Sequence, residues 1–90
     1  MKVKVTVGMC VKNCEATVKE AIDSVVNQDY PHGLIEIIVV DGNSKDKTLS
    51  IIIDSISKSD IQAKIYHDKG KGLGVARQIV LNEALGEYVV

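Results

Sequence analysis

The 90-residue sequence has no tryptophan, no phenylalanine and only three tyrosines, so few rings are available to stack on nucleic-acid bases. It also lacks an excess of either charge. Eleven Lys and Arg face twelve Asp and Glu for a net charge of −1, which leaves no cation surplus to displace phosphate counterions. Nucleic acid is therefore not an expected partner. No apolar run approaches the roughly 18 residues that cross a bilayer, and Met1-Lys2-Val3-Lys4 lacks the long apolar core of a signal peptide. The expectation is a soluble chain located in the cytoplasm. Cysteine is scarce as well: Cys10 and Cys14 stand alone, and the isolated His32 and His67 do not complete a zinc set. Two reduced thiols are expected, and the histidines read as surface or strand-end residues rather than catalytic bases.

What is present is valine and isoleucine in strand-length runs, alternating with helix-spaced stripes. Ninety residues support one domain, 1–90, of modest stability. Lys2 to Val11 reads as a first strand, and Asn13 as the N-cap of a helix beginning near Cys14 or Glu15. Val18, Ala21, Ile22, Val25 and Val26 form that helix's apolar stripe, and the Asn27 to Gly33 segment ends it at Pro31. A second strand, Glu36 to Val40, leads to a helix from about Lys45 to Ser57 that buries Leu49, Ile52, Ile53 and Ile56. Gln62 to His67 is a shorter, less apolar strand suited to a sheet edge. A third helix runs from about Leu73 to Leu85 with Gly86 as its stop, and Glu87 to Val90 begins a fourth strand.

Alternation with crossover-length connections predicts an α/β, three-layer, Rossmann-like parallel sheet, partial at about four strands and three helices. A doubly wound sheet needs a second half, so a piece of a longer parent is expected, with self-association through the sheet edge left exposed beside the last strand. No internal repeat or linker is visible.

In such a sheet the ligand crevice opens at the strands' carboxyl ends. The run Ile37-Ile38-Val39-Val40 stops at Asp41, followed by Gly42-Asn43-Ser44. Helix-start chemistry accounts for Ser44 and Asp46 but leaves Asp41 unexplained, which makes it the first candidate for ligand contact. Three tip segments, Val11 to Asn13, Asp41 to Ser44 and Lys69 to Arg77, should meet on one rim. There a carboxylate accepts bonds from ribose or base, and cations and a helix start hold a diphosphate. Gly70-Lys71-Gly72-Leu73-Gly74 has neither the position and spacing of a dinucleotide fingerprint nor the Ser or Thr of a Walker loop. Arg77, one turn into the third helix, is open between a surface salt bridge and a phosphate or ribose contact.

Asn13, the Ser24-to-Pro31 segment, the Ile38-to-Thr48 segment and Gly72-Leu73-Gly74-Val75-Ala76-Arg77-Gln78 together resemble the opening motifs of family 2 nucleotide-sugar glycosyltransferases, which have the GT-A fold. The resemblance spans nearly the whole chain, in order. It implies that this chain is the N-terminal half of that fold and binds the nucleotide of a nucleotide-diphosphate sugar donor. Asp41 matches the carboxylate on the base or ribose, and Arg77 matches the arginine near the diphosphate and ribose, in a segment opened by Gly72. Cys10-Val11-Lys12-Asn13 falls where the family often has Pro-Thr-Tyr-Asn. Asn13 is retained, while Val11 offers only backbone or packing contacts. Gly42 replaces a frequent second Asp, Asn43 a frequent Gly and Gln78 an Asn; Glu15 is a weaker nucleotide-site candidate.

The resemblance further implies inverting hexosyl-type transfer to an unknown acceptor hydroxyl. It also implies an Asp-x-Asp that binds Mg or Mn, lying with the catalytic base beyond Val90. No catalytic residue or metal ligand is then expected within these residues, and the chain alone should be inactive. Its parent is open to a place at the cytoplasmic face of a membrane. The alternative is a non-catalytic nucleotide-binding or self-assembling module. A sugar nucleotidyltransferase is disfavoured because the first strand lacks the glycine-rich, Arg-bearing loop of that class.

Overall fold

The computed structural model describes residues 5–27, 31–68, 71–84, 86 and 88–89. Four strands, β1 (Val5–Val11), β2 (Ile35–Asp41), β3 (Gln62–His67) and β4 (Tyr88–Val89), alternate with three helices, α1 (Val18–Val26), α2 (Thr48–Ser57) and α3 (Leu73–Glu83). A short 3-10 turn, His32–Leu34, precedes β2. All the strands run parallel, in the order β3-β2-β1-β4.

The central strand β2 is buried along its whole length, because helices cover both of its faces. Its odd-numbered residues Ile35, Ile37 and Val39 pack with Val18 and Ile22 of α1 and Ile52 of α2. Ile38 and Val40 face the other way, onto Ala76 and Val80 of α3. The period of two along the strand thus separates two apolar cores, one on each side of the sheet. Three layers are the result, as expected from the alternation of elements. β3, the expected edge strand, contains no fully buried residue. Among the described residues no helix is long and apolar enough to cross a membrane.

Several sequence expectations need correction. α1 starts at Val18 and not near Cys14, because Asn13 adopts a left-handed φ of 48° and does not cap; the Cys14 carbonyl gathers the N–H groups of Thr17 and Val18 in a preceding turn. α2 starts at Thr48 and not at Lys45, since Ser44 and Asp46 are engaged with the first loop. Ala21 of α1 and Ile53 of α2 are exposed, and on α2 Ile51 packs against the core beside Ile52. α3 closes at Glu83, where Ala84 turns extended.

Gly86 does not act as a helix stop. Its N–H donates to Thr6 Oγ1 at 3.0 Å, and a Cβ there would sit 2.8 Å from the Thr6 nitrogen, so glycine permits the chain to run against β1. The expected strand residues Lys2–Lys4, Glu87 and Val90, together with Leu85, Gln28–Tyr30 and Lys69–Gly70, lie outside the described residues.

The other unanticipated feature is polar. Glu36 is fully buried within β2, where its Oε2 accepts from Thr6 Oγ1 at 2.8 Å and its Oε1 lies 3.4 Å from Lys64 Nζ. Register explains the cluster: Thr6 is the β1 partner of Glu36, while Lys64 sits two residues beyond its β3 partner Gln62 on the same face.

Candidate functional site

The three tip segments meet. Cys10, Val11 and Lys12 at the end of β1, Val40 and Gly42 at the end of β2, and Asp68, Gly72 and Ala76 after β3 and in α3 line one cleft of about 160 Å³. Its mouth is the rim where the strands end and α3 begins.

The rim is built by hydrogen bonds between sequence-distant loops. The Asn13 N–H donates to Ser44 Oγ at 2.9 Å, and Asn13 Oδ1 accepts from the Lys45 N–H at 2.7 Å. The Cys14 N–H donates to Thr48 Oγ1 at 2.8 Å, and the Glu15 N–H to Asp46 Oδ2 at 3.2 Å. Asp46 Oδ1 also accepts from the Thr48 hydroxyl and, at 3.0 Å, from the Thr48 N–H; the hydroxyl bond first, and then the backbone bonds, hold its carboxyl below the usual range. Asn43, standing where the resembled family often has glycine, adopts a φ of 64°, a conformation asparagine tolerates better than other non-glycine residues. The Gly42 N–H donates to the Val11 carbonyl at 2.7 Å, and a Cβ on Gly42 would lie 3.3 Å from that oxygen.

Of the seven residues singled out in the sequence, Val11, Gly42 and Gly72 line the cleft. Asn13 and Glu15 lie in the tied loops, exposed, with Glu15 joined through its backbone. Asp41 is at the strand tip but only 3 % exposed; the Ser44 N–H donates to its carboxylate at 3.2 and 3.4 Å, and His67 Nδ1 lies 3.5 Å from Oδ2. Arg77 is exposed on α3, close enough to Cys10 to affect its thiol. Local desolvation pushes that thiol up even though Cys10 presents surface to the cleft; the Arg77 guanidinium opposes the rise and the Asp68 carboxylate adds to it.

Asp68 and Lys12 are cleft residues that sequence reasoning passed over. Asp68 is buried, and its Oδ2 accepts from the Gly72 N–H at 3.2 Å. The signal was available, for Asp68 directly follows the last residue of β3, in the tip position where ligand contacts are expected. Gly72 itself has a φ of 97° and ψ of 178°, which glycine alone adopts readily.

The cations divide by location. Lys19, Lys58 and Lys64 pair with Asp23, Asp54 and Glu36 at 2.7, 3.1 and 3.4 Å, on helices or within the sheet. Among the described residues Lys12, Lys45, Lys47, Lys71 and Arg77, all in the rim loops or the first turns of α3, have no carboxylate partner. A rim of unneutralised cations beside a helix start attracts anions. Among the described residues no three His, Cys, Asp or Glu side chains come together to hold a metal ion.

The family model described as Glycosyl transferase family 2 matches residues 6–90. The chain belongs to this family. A poly(ribitol-phosphate) beta-N-acetylglucosaminyltransferase, TarS of Staphylococcus aureus, is 32% identical over 78 residues, covering 87% of this chain. The chain spans only 14% of that relative's length. The structure of TarS residues 1–349 with UDP-GlcNAc aligns at a TM-score of 0.88 and 31% identity, covering 98% of this chain and 25% of that one. A Pyrobaculum calidifontis mannosyltransferase in complex with GDP-Man and Mn2+ aligns at a TM-score of 0.90 and 28% identity, covering 99% of this chain and 26% of that one. For this family 2 chain, the fold is accordingly the GT-A α/β architecture, and the resemblance drawn from its motifs stands.

Proposed function

We propose that the parent protein transfers a hexosyl-type sugar from a nucleotide-diphosphate donor to an acceptor hydroxyl with inversion, and that this domain, residues 1–90, supplies the donor's nucleotide site. The observation that carries the reading is the cleft at the tips of β1 and β2, beside the start of α3, lined by Lys12 and with Arg77 close to its Cys10, neither cation having a carboxylate partner among the described residues. The family match and the UDP-GlcNAc and GDP-Man complexes of its neighbours support it.

Within this reading Arg77 and Lys12 meet the diphosphate, while Val11 and Gly42 contribute backbone and shape. Gly72 starts α3 so that its first N–H groups face the phosphates. Asn13 and Glu15 act through the loops they tie together. Asp41 serves the nucleoside end. A divalent metal, Mg or Mn, belongs to the parent enzyme, where it would neutralise the leaving diphosphate. Within this reading the parent's Asp-x-Asp, outside residues 1–90, would hold it. The 90 residues alone are expected to bind without transferring sugar, to associate along the β4 edge, and to work in the cytoplasm.

Calorimetric titration of UDP and GDP into the full-length protein tests the donor site. Arg77→Ala should weaken the tighter of the two by at least about tenfold, or about 1.4 kcal/mol. Undiminished affinity would remove Arg77 from the site, and no binding of either nucleotide by the unaltered protein would end the donor reading.

A further inference from the structure

We infer that Thr6, oriented by the buried carboxylate of Glu36, is a positioning residue: it sets the register at which β4 joins the sheet, and with it which part of the parent chain beyond Val90 is carried to the cleft. The inference rests on the donor reading only in placing the reaction at that cleft.

A single polar series crosses the sheet. The Gly86 N–H donates to Thr6 Oγ1 at 3.0 Å, the Thr6 hydroxyl donates to Glu36 Oε2 at 2.8 Å, and Glu36 Oε1 lies 3.4 Å from Lys64 Nζ. It runs from the approach to β4, through β1 and β2, to β3. Its direction is forced. A carboxylate only accepts, so the one hydroxyl proton of Thr6 points to Glu36 and the oxygen's lone pairs are left for Gly86. Thr6 and Glu36 are both fully buried, so water does not compete for these bonds.

Sterics select the same register. A Cβ on Gly86 would stand 2.7 Å from Thr6 Oγ1, 2.8 Å from the Thr6 nitrogen and 2.9 Å from the Val5 carbonyl carbon, two of them backbone atoms. Leu85 and Glu87, on either side in sequence, both carry a Cβ. A slip of one residue in either direction would drive that carbon into the notch and take the Gly86 N–H away from Thr6. The ladder alone gives little resistance, since among the described residues it holds two positions, Val5 with Tyr88 and Thr6 with Val89.

A register fixed here is felt at the other end of β1. Carried on at the same offset, a strand that begins as β4 does draws level with Cys10, which lines the cleft, four residues after Val89. A slip of one residue shifts that chain by about 3.3 Å and turns each of its side chains to the opposite face. Group transfer tolerates far smaller misplacements than that. The burial of a carboxylate fits this role: an apolar side chain at position 36 would stabilise the strand as well or better, but it would give the Thr6 hydroxyl no direction.

The test uses the full-length protein and three variants: Thr6→Val, which keeps the shape and loses the hydroxyl; Thr6→Ser, which keeps the hydroxyl; and Gly86→Ala, which fills the notch. In hydrogen-exchange mass spectrometry, residues 86–89 should exchange at least about tenfold faster in Thr6→Val and Gly86→Ala, with Thr6→Ser like the unaltered protein and β2 and β3 unchanged throughout. Affinities for UDP and GDP should stay within about twofold. Release of UDP from UDP-GlcNAc, or of GDP from GDP-Man, should fall at least about tenfold in kcat in Thr6→Val and recover in Thr6→Ser. Unchanged exchange at 86–89, or faster exchange spread over β2 and β3, overturns the register lock. Faster exchange at 86–89 with unchanged kcat overturns the positioning role. An unaltered protein that neither binds these nucleotides nor cleaves these donors ends the donor reading, and the exchange result still decides the lock.

Discussion

The backbone N–H of Asn13 donates to the hydroxyl of Ser44 across 31 positions of sequence, at 2.9 Å, and the Asn13 side chain returns a bond to the next residue, Lys45. Two loops from different strands are thereby held as one rim. Asn13 holds this place with a φ of 48°, so both its backbone and its amide are used. Asn13→Ala should lose a hydrogen bond, about 1 kcal/mol, together with about 1 kcal/mol for an unfavourable left-handed residue. Asn13→Gly keeps the conformation and should lose less. Urea unfolding of both variants checks the order, and an alanine variant at least as stable as the glycine variant would contradict it.

Lys64 and Glu36 give a second expectation. Glu36 is fully buried, and Lys64 retains access to water at 30% of its side chain. Lys64→Ala removes a cation from beside the buried carboxylate and should cost about 2 kcal/mol, below the roughly 3–5 of a fully enclosed pair because of solvent screening. Adding Glu36→Gln to that variant should restore part of the loss, since the amide oxygen still accepts from Thr6. Denaturant midpoints of the single and double variants decide this; a double variant less stable than Lys64→Ala would show that the charge is not the issue.

The stability should also depend on pH through His32. Its Nδ1 bonds Asp60 Oδ1, and its Nε2 lies 2.9 Å from the Val26 carbonyl at the end of α1. The Asp60 bond first, then the Val26 carbonyl, raise the His32 pKa above its ordinary value, and His32 lowers that of Asp60. For His32 the folded value exceeds the unfolded one. Its stabilisation is full below the ordinary imidazole pKa and is lost as pH rises through the raised value. For Asp60 the sign reverses: stabilisation holds above the ordinary carboxylate pKa and is lost as pH falls through the lowered value. The pair should therefore contribute most between about pH 4 and 6.5. Urea midpoints measured on either side of that window should fall on the alkaline side in the unaltered protein, and His32→Gln should flatten the fall. An identical profile for the variant would exclude the pair as its source.

Gly72 separates backbone strain from crowding. A Cβ there meets nothing within 4 Å, yet φ is 97°. Gly72→Ala should cost about 1–3 kcal/mol from conformation alone. It should weaken UDP or GDP binding as well, because α3 starts at this residue. Unchanged stability and affinity would mean the loop has another conformation available.

The alternation of valine-rich runs with helix-spaced stripes was enough to predict the parallel three-layer sheet, because period-two and period-3.6 burial leave different marks on a sequence. Asp41 was legible for a related reason, as a carboxylate closing an apolar run. Glu36 was not, since a charge inside a strand looks like a polar face until register supplies Thr6 and Lys64 as neighbours. Nor could sequence spacing show that Ser44 serves Asn13 and not its own helix, or that Ile53 turns outward while Ile51 turns in.

The sequence by itself determined the class of fold, the order of its elements and the rim on which its polar loops gather. Tertiary structure alone decided which side chains share that rim. It sank Asp41, left His67 beside it at the surface, and set Arg77 near Cys10 at the rim. The reason is physical: hydrophobic periodicity is local and recorded along the chain, whereas hydrogen-bond partners and burial depend on strand register between segments far apart in sequence.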